Sequence, residues 1–424
     1  MVNGTTSYTK FIRKKKDNYN RNKTMKIEAN RYQNAKEYWS LLKGLSSQSK
    51  TTNKLDTSDF YEYFKAVNNP DSIFFQPDED TIHFNERYLN GEFQIMFTEL
   101  DSRITPDEIS KACRELNSGK STGPDLMMNE VFKCDFKHLN NYLHALFNKL
   151  LDTGYFPDEW RESYVIPLHK KGDVNNVENY RGISLMSHFC KLFTRILNNR
   201  LNKWAEDYSV YSEAQAGFRK KMGTVDNIFV LNGLINHFIN ANKKLYVAMI
   251  DFRKAYDYVV RDTLWRKLIQ LGVRGKILNI IKSMYKQIES NVKYNNNVSD
   301  SYTHAFGVVQ GDCLSSLMFA LYVNDIEQVL ETSGFEGITI DNLKMFILLY
   351  ADDIALISET EWGLQNGLDI LYNYCTSSKL VINTQKSKVL VFKKGRQTCN
   401  STTFMYNNEP LEIVNTFNYL GVVL

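Results

Sequence analysis

Two adjacent aspartates interrupt an apolar run, Met345-Phe-Ile-Leu-Leu-Tyr-Ala-Asp-Asp-Ile-Ala-Leu-Ile-Ser358. Short β-prone stretches on either side of a polar pair predict a hairpin with Asp352 and Asp353 at its tip. Like charges side by side next to a core are costly unless a cation or strong donors offset them. Mg²⁺ meets that need, because it takes one or two carboxylates and completes its shell with water and substrate phosphates. An ordinary polar turn would carry the same four residues, so the pair needs company. Upstream, Leu245–Ile250 is a nearly continuous apolar run, as expected of a buried strand, and it ends at Asp251. A carboxylate at the end of a core strand can face carboxylates at a hairpin tip of the same sheet. Such a set holds two Mg²⁺ ions ~4 Å apart, one activating an attacking hydroxyl and the other stabilising a leaving pyrophosphate. Alone, Asp251 would read as a helix cap; beside Asp352 and Asp353 the metal reading is the better one. Asp257 is assigned no metal and is expected to position its loop or cap the segment beginning near Asp262.

These two motifs, in this order, resemble the palm of reverse transcriptases, and most of the chain is similar to the non-LTR (LINE-type) retrotransposon group. Pro157-Asp-Glu-Trp160 and Val165-Ile-Pro-Leu-His-Lys-Lys-Gly-Asp173 look like the first finger motif. Asn179-Tyr-Arg-Gly-Ile-Ser-Leu185 with Lys191-Leu-Phe193 looks like the second. Gln215-Ala-Gly-Phe-Arg219 matches the insertion typical of the non-LTR and group II intron enzymes. Gly307-Val-Val-Gln-Gly-Asp-Cys-Leu-Ser315, Leu380-Val-Ile-Asn-Thr-Gln-Lys386 and Tyr419-Leu-Gly421 complete the series. The sequence departs from the pattern at Val309, where arginine is usual, and at Ser316, where proline is usual.

The resemblance implies a right-hand polymerase fold with fingers and palm, the antiparallel palm sheet packed on helices. It implies an RNA-directed DNA polymerase, a nucleotidyltransferase using two Mg²⁺ ions (Mn²⁺ as a substitute) held by Asp251, Asp352 and Asp353. Lys170 and Arg181 fall where the fingers close over the triphosphate, and Tyr256 where an aromatic ring lies under the sugar and crowds a ribose 2′-hydroxyl. Gln310 and Gly311 lie beside the nucleotide, and Lys386 is the candidate proton donor to pyrophosphate. The expected partners are an RNA template, a DNA primer or nicked target DNA, and deoxynucleoside triphosphates. The family continues past Tyr419-Leu-Gly421 into a helical thumb and usually carries an endonuclease before this domain, so the chain is expected to be a fragment of a larger element product or a truncated copy, with the thumb missing. The alternative reading is a non-catalytic RNA-binding remnant that keeps the polymerase scaffold.

The remaining chain must position these groups. Its 424 residues, 43% hydrophobic, suffice for a large core, and the net charge of +4 hides a basic first stretch with Arg13-Lys-Lys-Lys16. Six cysteines show no CxxC pairing or zinc spacing, which fits a reducing compartment. No run approaches ~20 apolar residues, so the expectation is an intracellular protein of cytoplasm or nucleus that does not engage a membrane. Residues 1–100 read as a basic, partly helical or disordered extension, 101–155 as a helical lead-in, and 156–424 as fingers and palm. Thr105-Pro-Asp-Glu108 opens a helix to Leu116. Further helices are expected at 34–45, 136–152, 184–206, 224–241, 262–286, 315–331 and 361–378, with short strands near 164, 246, 292, 304, 346, 389 and 417. Residues 58–91 show no clear period. The whole reads as an α+β fold.

Overall fold

Two sheets, each with helices against it, organise the chain in a computed structural model that describes residues 54–424 apart from 71, 72, 95, 135 and 396–401, with a few isolated positions before residue 54. Residues 1–54 form a unit of their own, helical at its described positions before Lys54. The expected helix at 34–45 and most of the basic segment lie outside the described residues.

The first sheet has the order β2-β1-β4-β5, from β1 (Glu162–His169), β2 (Tyr180–Met186), β4 (Ile288–Tyr294) and β5 (Asn297–His304). β1 pairs antiparallel with β2 and parallel with β4, so this sheet is mixed. Its β4–β5 hairpin closes on Asn295 and Asn296, both at positive φ (48° and 68°), the conformation a tight two-residue turn demands and asparagine tolerates. The second sheet has six strands with β3 (Leu245–Asp251) in its interior. β3 is flanked antiparallel by β9 (Asp353–Ser358) and β10 (Lys388–Phe392), and β8 (Ile347–Tyr350) forms the edge beyond β9. Residues 245–250 of β3 are all buried, which explains the apolar run. β6 (Ile338–Ile340) and β7 (Leu343–Met345) pair apart as a short hairpin, and β11 (Phe404–Tyr406) and β12 (Glu409–Ile413) extend the far edge of the second sheet. The two sheets alternate along the chain, β1 and β2 preceding β3, and β4 and β5 following it.

The helices agree with the sequence pattern except where a cap or a break was invisible. Pro106–Glu115 starts at Thr105 with the reciprocal Thr105–Glu108 capping pair. The expected helix 262–286 is two, Arg261–Gln270 and Gly275–Met284, broken at Gly272 (φ 96°), and the carboxylate of Asp101 accepts the freed amides of Lys276 and Ile277. The expected helix 315–331 also divides, into Cys313–Tyr322 and Ile326–Thr332, where Asn324 and Asp325 turn away to bond Val210 and Lys267. The first residues of 184–206 are strand β2, and the helix runs His188–Asp207.

The stretch without a clear period holds two helices, Thr57–Asn68 and Glu79–Leu89. Phe60 and Phe64, one turn apart, bury their rings with Tyr180, Tyr302 and Val292 of the first sheet. A side chain at Gly182 would place its Cβ 2.9 Å from the Phe64 ring, so only glycine lets the helix sit this close. Each buried Phe ring contributes roughly 1.5–3 kcal/mol. Among the described residues, no helix is long and apolar enough to cross a membrane.

Candidate active site

Asp251 is the last residue of β3, and its cross-strand partner is Asp353, the first residue of β9. Between β8 and β9 lie only Ala351 and Asp352, with Tyr350 paired to Asp353, so the two acids do occupy a hairpin tip. Ala351 takes the left-handed conformation (φ 60°) at the first turn position. Burial, then the charges of Asp352 and Asp251, push the Asp353 carboxyl up to about 6. Burial also raises Asp251, with Asp352 adding to the rise and Lys386 opposing it. The charges of the three acids are thus coupled to one another.

The loop leading into β10 positions Lys386. Ser387 Oγ accepts the amide of Asp251, the amide of Asn383 donates to the Asp251 carbonyl, and Lys386 Nζ comes 3.7 Å from Asp251 Oδ2. Lys170 follows β1 and Arg181 lies on β2. Burial lowers the Lys170 ammonium, as do the charges of Arg181 and Lys386, against the pull of Asp251 and Asp352. Lys170, just past the end of β1, thus feels the charges of Asp251 and Asp352.

Tyr256 stacks on Phe319 (centroids 5.3 Å apart, planes 16° from parallel), and its hydroxyl lies 3.3 Å from Ser316 Oγ. Ser316 therefore supplies a partner that a proline could not. Val309 is buried in the main apolar core, where an arginine would need partners of its own. Gln310 donates its amide to Asp257 Oδ2 at 2.9 Å, and its carbonyl accepts the amide of Ser184 on β2. Gly311 (φ 127°) has no room for a Cβ, which would lie 2.5 Å from the Ser184 carbonyl oxygen. Beside Gly311 opens a cavity of about 520 Å³ lined among others by Lys120, His188, Lys191, Arg195 and Ser316.

Three further residues hold the site's surroundings in ways the sequence does not specify. Asp257, pushed up to about 6 by burial, orients the amide of Gln310. Arg261 donates to the carbonyls of Tyr285, His304, Phe306 and Gly307 and so ties the loop before Gln310 to the first sheet. Gln215 reaches the acidic turn itself. Arg219 is structural: its guanidinium bonds Glu206 and two carbonyls of its own loop.

The acids fit Mg²⁺ or Mn²⁺ by donor chemistry, being hard oxygens on converging elements, and the raised Asp353 carboxyl marks negative charge in need of a cation. Among the described residues, no group of three His, Cys, Asp or Glu side chains is already gathered into a cage, and Asp251 leans on Lys386 instead. A stability test follows. Asp353 binds a proton more tightly folded than unfolded, so its contribution falls as pH rises from its ordinary 3.8 through about 6 and stays lost above. Asp353→Asn should therefore raise Tm by about 1–3 °C at pH 7.5 in chelator, the partial exposure of this residue keeping the gain modest. The gain should vanish below pH 4 and shrink in excess Mg²⁺; thermal melts across pH that show no crossover would refute it.

The profile of the family described as reverse transcriptase (RNA-dependent DNA polymerase) matches residues 168–424. The chain is similar to the RNA-directed DNA polymerase from mobile element jockey of Drosophila melanogaster, 26% identical over 80% of this chain and 37% of that protein. It is similar to the probable RNA-directed DNA polymerase from transposon BS of the same fly, 29% identical over 81% of this chain and 40% of that one. It is also similar to the Pol polyprotein from type-1 retrotransposable element R2 of Nasonia vitripennis, 26% identical over 80% and 32%. The chain thus spans two fifths or less of these relatives. A solved structure of apo telomerase from Candida tropicalis, truncated from its C-terminal domain, aligns over 66% of this chain and 60% of that one, with TM-score 0.43 and 12% identity.

Proposed function

The chain belongs to the reverse transcriptase (RNA-dependent DNA polymerase) family, and from that premise we propose that it performs RNA-templated DNA synthesis as part of a non-LTR retrotransposon product. The observation that carries this reading is Asp251, at the end of the buried strand, paired across the sheet with the Asp352–Asp353 hairpin tip. Two Mg²⁺ ions, or Mn²⁺, held by Asp251 and Asp352 with Asp353 supporting the tip, would supply charge neutralisation for in-line nucleotidyl transfer.

The chain's own residues do the positioning. Arg181 offers a planar fork and Lys170 a mobile point charge to the triphosphate of a deoxynucleotide. Tyr256, held by Phe319 and Ser316, would serve as a flat floor under the sugar and crowd a ribose 2′-hydroxyl. Asp257 can only accept hydrogen bonds as a carboxylate, so it holds the Gln310 amide nitrogen and turns the Gln310 oxygen the other way, towards the sugar or base. Lys386, an ammonium beside Asp251, stands where it can give a proton to leaving pyrophosphate. The lysine- and arginine-lined cavity beside Gly311 suits the phosphates of an RNA template, while the paired end of a DNA primer or nicked target is placed at the acids.

Primer extension on an RNA template, with deoxynucleotides set against ribonucleotides, tests the proposal. Extension that needs Mg²⁺ or Mn²⁺ and prefers deoxynucleotides is expected. Template–primer binding without extension in either metal would overturn the catalytic reading in favour of the RNA-binding remnant.

A further inference from the structure

We propose that Gln215 is a positioning residue for the acidic turn: its side chain locks Ala351 in the left-handed conformation that presents Asp352 to the site. The inference rests on the reading above, in which Asp352 is catalytic. The turn connects β8 and β9 through two residues, a geometry that favours glycine wherever φ is positive. Here the positive φ falls on Ala351, whose Cβ disfavours it, so the conformation must be imposed from outside.

Gln215 is placed to impose it. Its segment lies along the outer edge of β8, where the Leu349 amide donates to the Ala214 carbonyl (2.9 Å) and the Ala216 amide to the Leu349 carbonyl (3.0 Å). From this rung the fully buried Gln215 side chain turns back over the tip. Its Oε1 accepts two backbone amides at once, from Gly217 (2.8 Å) and from Ala351 (3.2 Å). Gly217 makes the approach possible, because a Cβ there would sit 2.3 Å from the Ala351 nitrogen. Among the described residues Gln215 Nε2 is buried without a hydrogen-bond partner, so it is the oxygen that makes this side chain's contacts. Asn227 adds a second clamp by donating to the Leu349 carbonyl at 3.1 Å.

Gln215→Met keeps the length and removes the acceptor. Hydrogen exchange of the full chain should then speed up by about tenfold or more over residues 347–354, with 245–250 unchanged. In primer extension kcat should fall about 10- to 100-fold, because a small misplacement of a reacting group is that costly, with KM for deoxynucleotide within ~2-fold. Adding Ala351→Gly should recover much of the lost kcat without recovering exchange protection, since glycine adopts positive φ unaided. Gln215→Glu, which keeps an acceptor oxygen, should retain the protection. Unchanged exchange at the tip, unchanged kcat, or a loss of protection that extends to 245–250 overturns the proposal. A wild-type chain that does not extend a primer refutes the underlying functional reading, and the proposal falls with it even where exchange at the tip responds.

Discussion

Asp352→Asn should abolish primer extension while leaving affinity for an RNA–primer duplex nearly unchanged. The substitution keeps the size of the side chain and removes the charge that attracts a divalent cation. It falls in a two-residue turn, a place asparagine accepts readily. Because the missing charge matters most when negative charge builds up in the transition state, the expected loss is about 10³-fold or more in kcat. Affinity comes from lysines and arginines on phosphates, so it should stay within ~2-fold. Removing residues 1–50, with the basic cluster Arg13–Lys16, should do the reverse: weaker binding, a shallower dependence on salt, and an intact acidic site. Rapid-quench extension and binding titrations over a salt series measure both arms. An Asp352→Asn chain that extends at a near-normal rate would sink the mechanism.

The second large effect concerns the sugar. Tyr256→Ala should raise incorporation of ribonucleotides relative to deoxyribonucleotides on the order of 10- to 100-fold, the range that one steric contact in a pocket can discriminate. The ring is held flat against Phe319 and its hydroxyl meets Ser316, so under the proposed function it would not swing aside for a 2′-hydroxyl. Ser316→Ala, which leaves the phenol without that partner, should move selectivity the same way by less. Competition assays with paired nucleotides on one template give the ratio directly. Unchanged selectivity in a folded, active Tyr256→Ala chain would reduce the ring to core packing.

Much of this site can be read before folding because its signals are local. An apolar run that ends in an acid, Leu245 to Asp251, is a buried strand whose last side chain reaches the surface. Two acids between β-prone stretches can be at little else than a tip, and Asp352 and Asp353 are. What escapes the sequence is contact at a distance. Nothing in the order of residues tells which amide Gln215 will reach 136 positions later, or that Asp257 will hold Gln310 53 positions on. The helix Thr57–Asn68 hides for another reason: two phenylalanines on one face are enough to dock it, too few to set a period. Gly272 did carry a local signal, but a lone glycine within a helical pattern is often tolerated, and the capping carboxylate of Asp101 that makes the break stable lies far away in sequence. Ser316 shows the opposite hazard. By pattern it is a lost proline, and in space it is the hydrogen-bond partner of Tyr256.

The alternation of the two sheets along the chain has a consequence for synthesis on the ribosome. β1 is complete at His169, yet its parallel neighbour β4 begins only at Ile288. The β1–β2 hairpin is complete at Met186, so at about 5–20 residues per second it must wait roughly 5–20 s for Ile288 with one ladder edge open. An open edge is a template for pairing with any strand nearby, including the same hairpin on a neighbouring nascent chain of a polysome. Helix Thr57–Asn68, already emerged, can cover one face of that hairpin but none of its edge hydrogen bonds. The nascent protein should therefore depend on chaperone protection over this interval, and slowing translation between residues 170 and 288 should lower its soluble yield more than slowing it after 304.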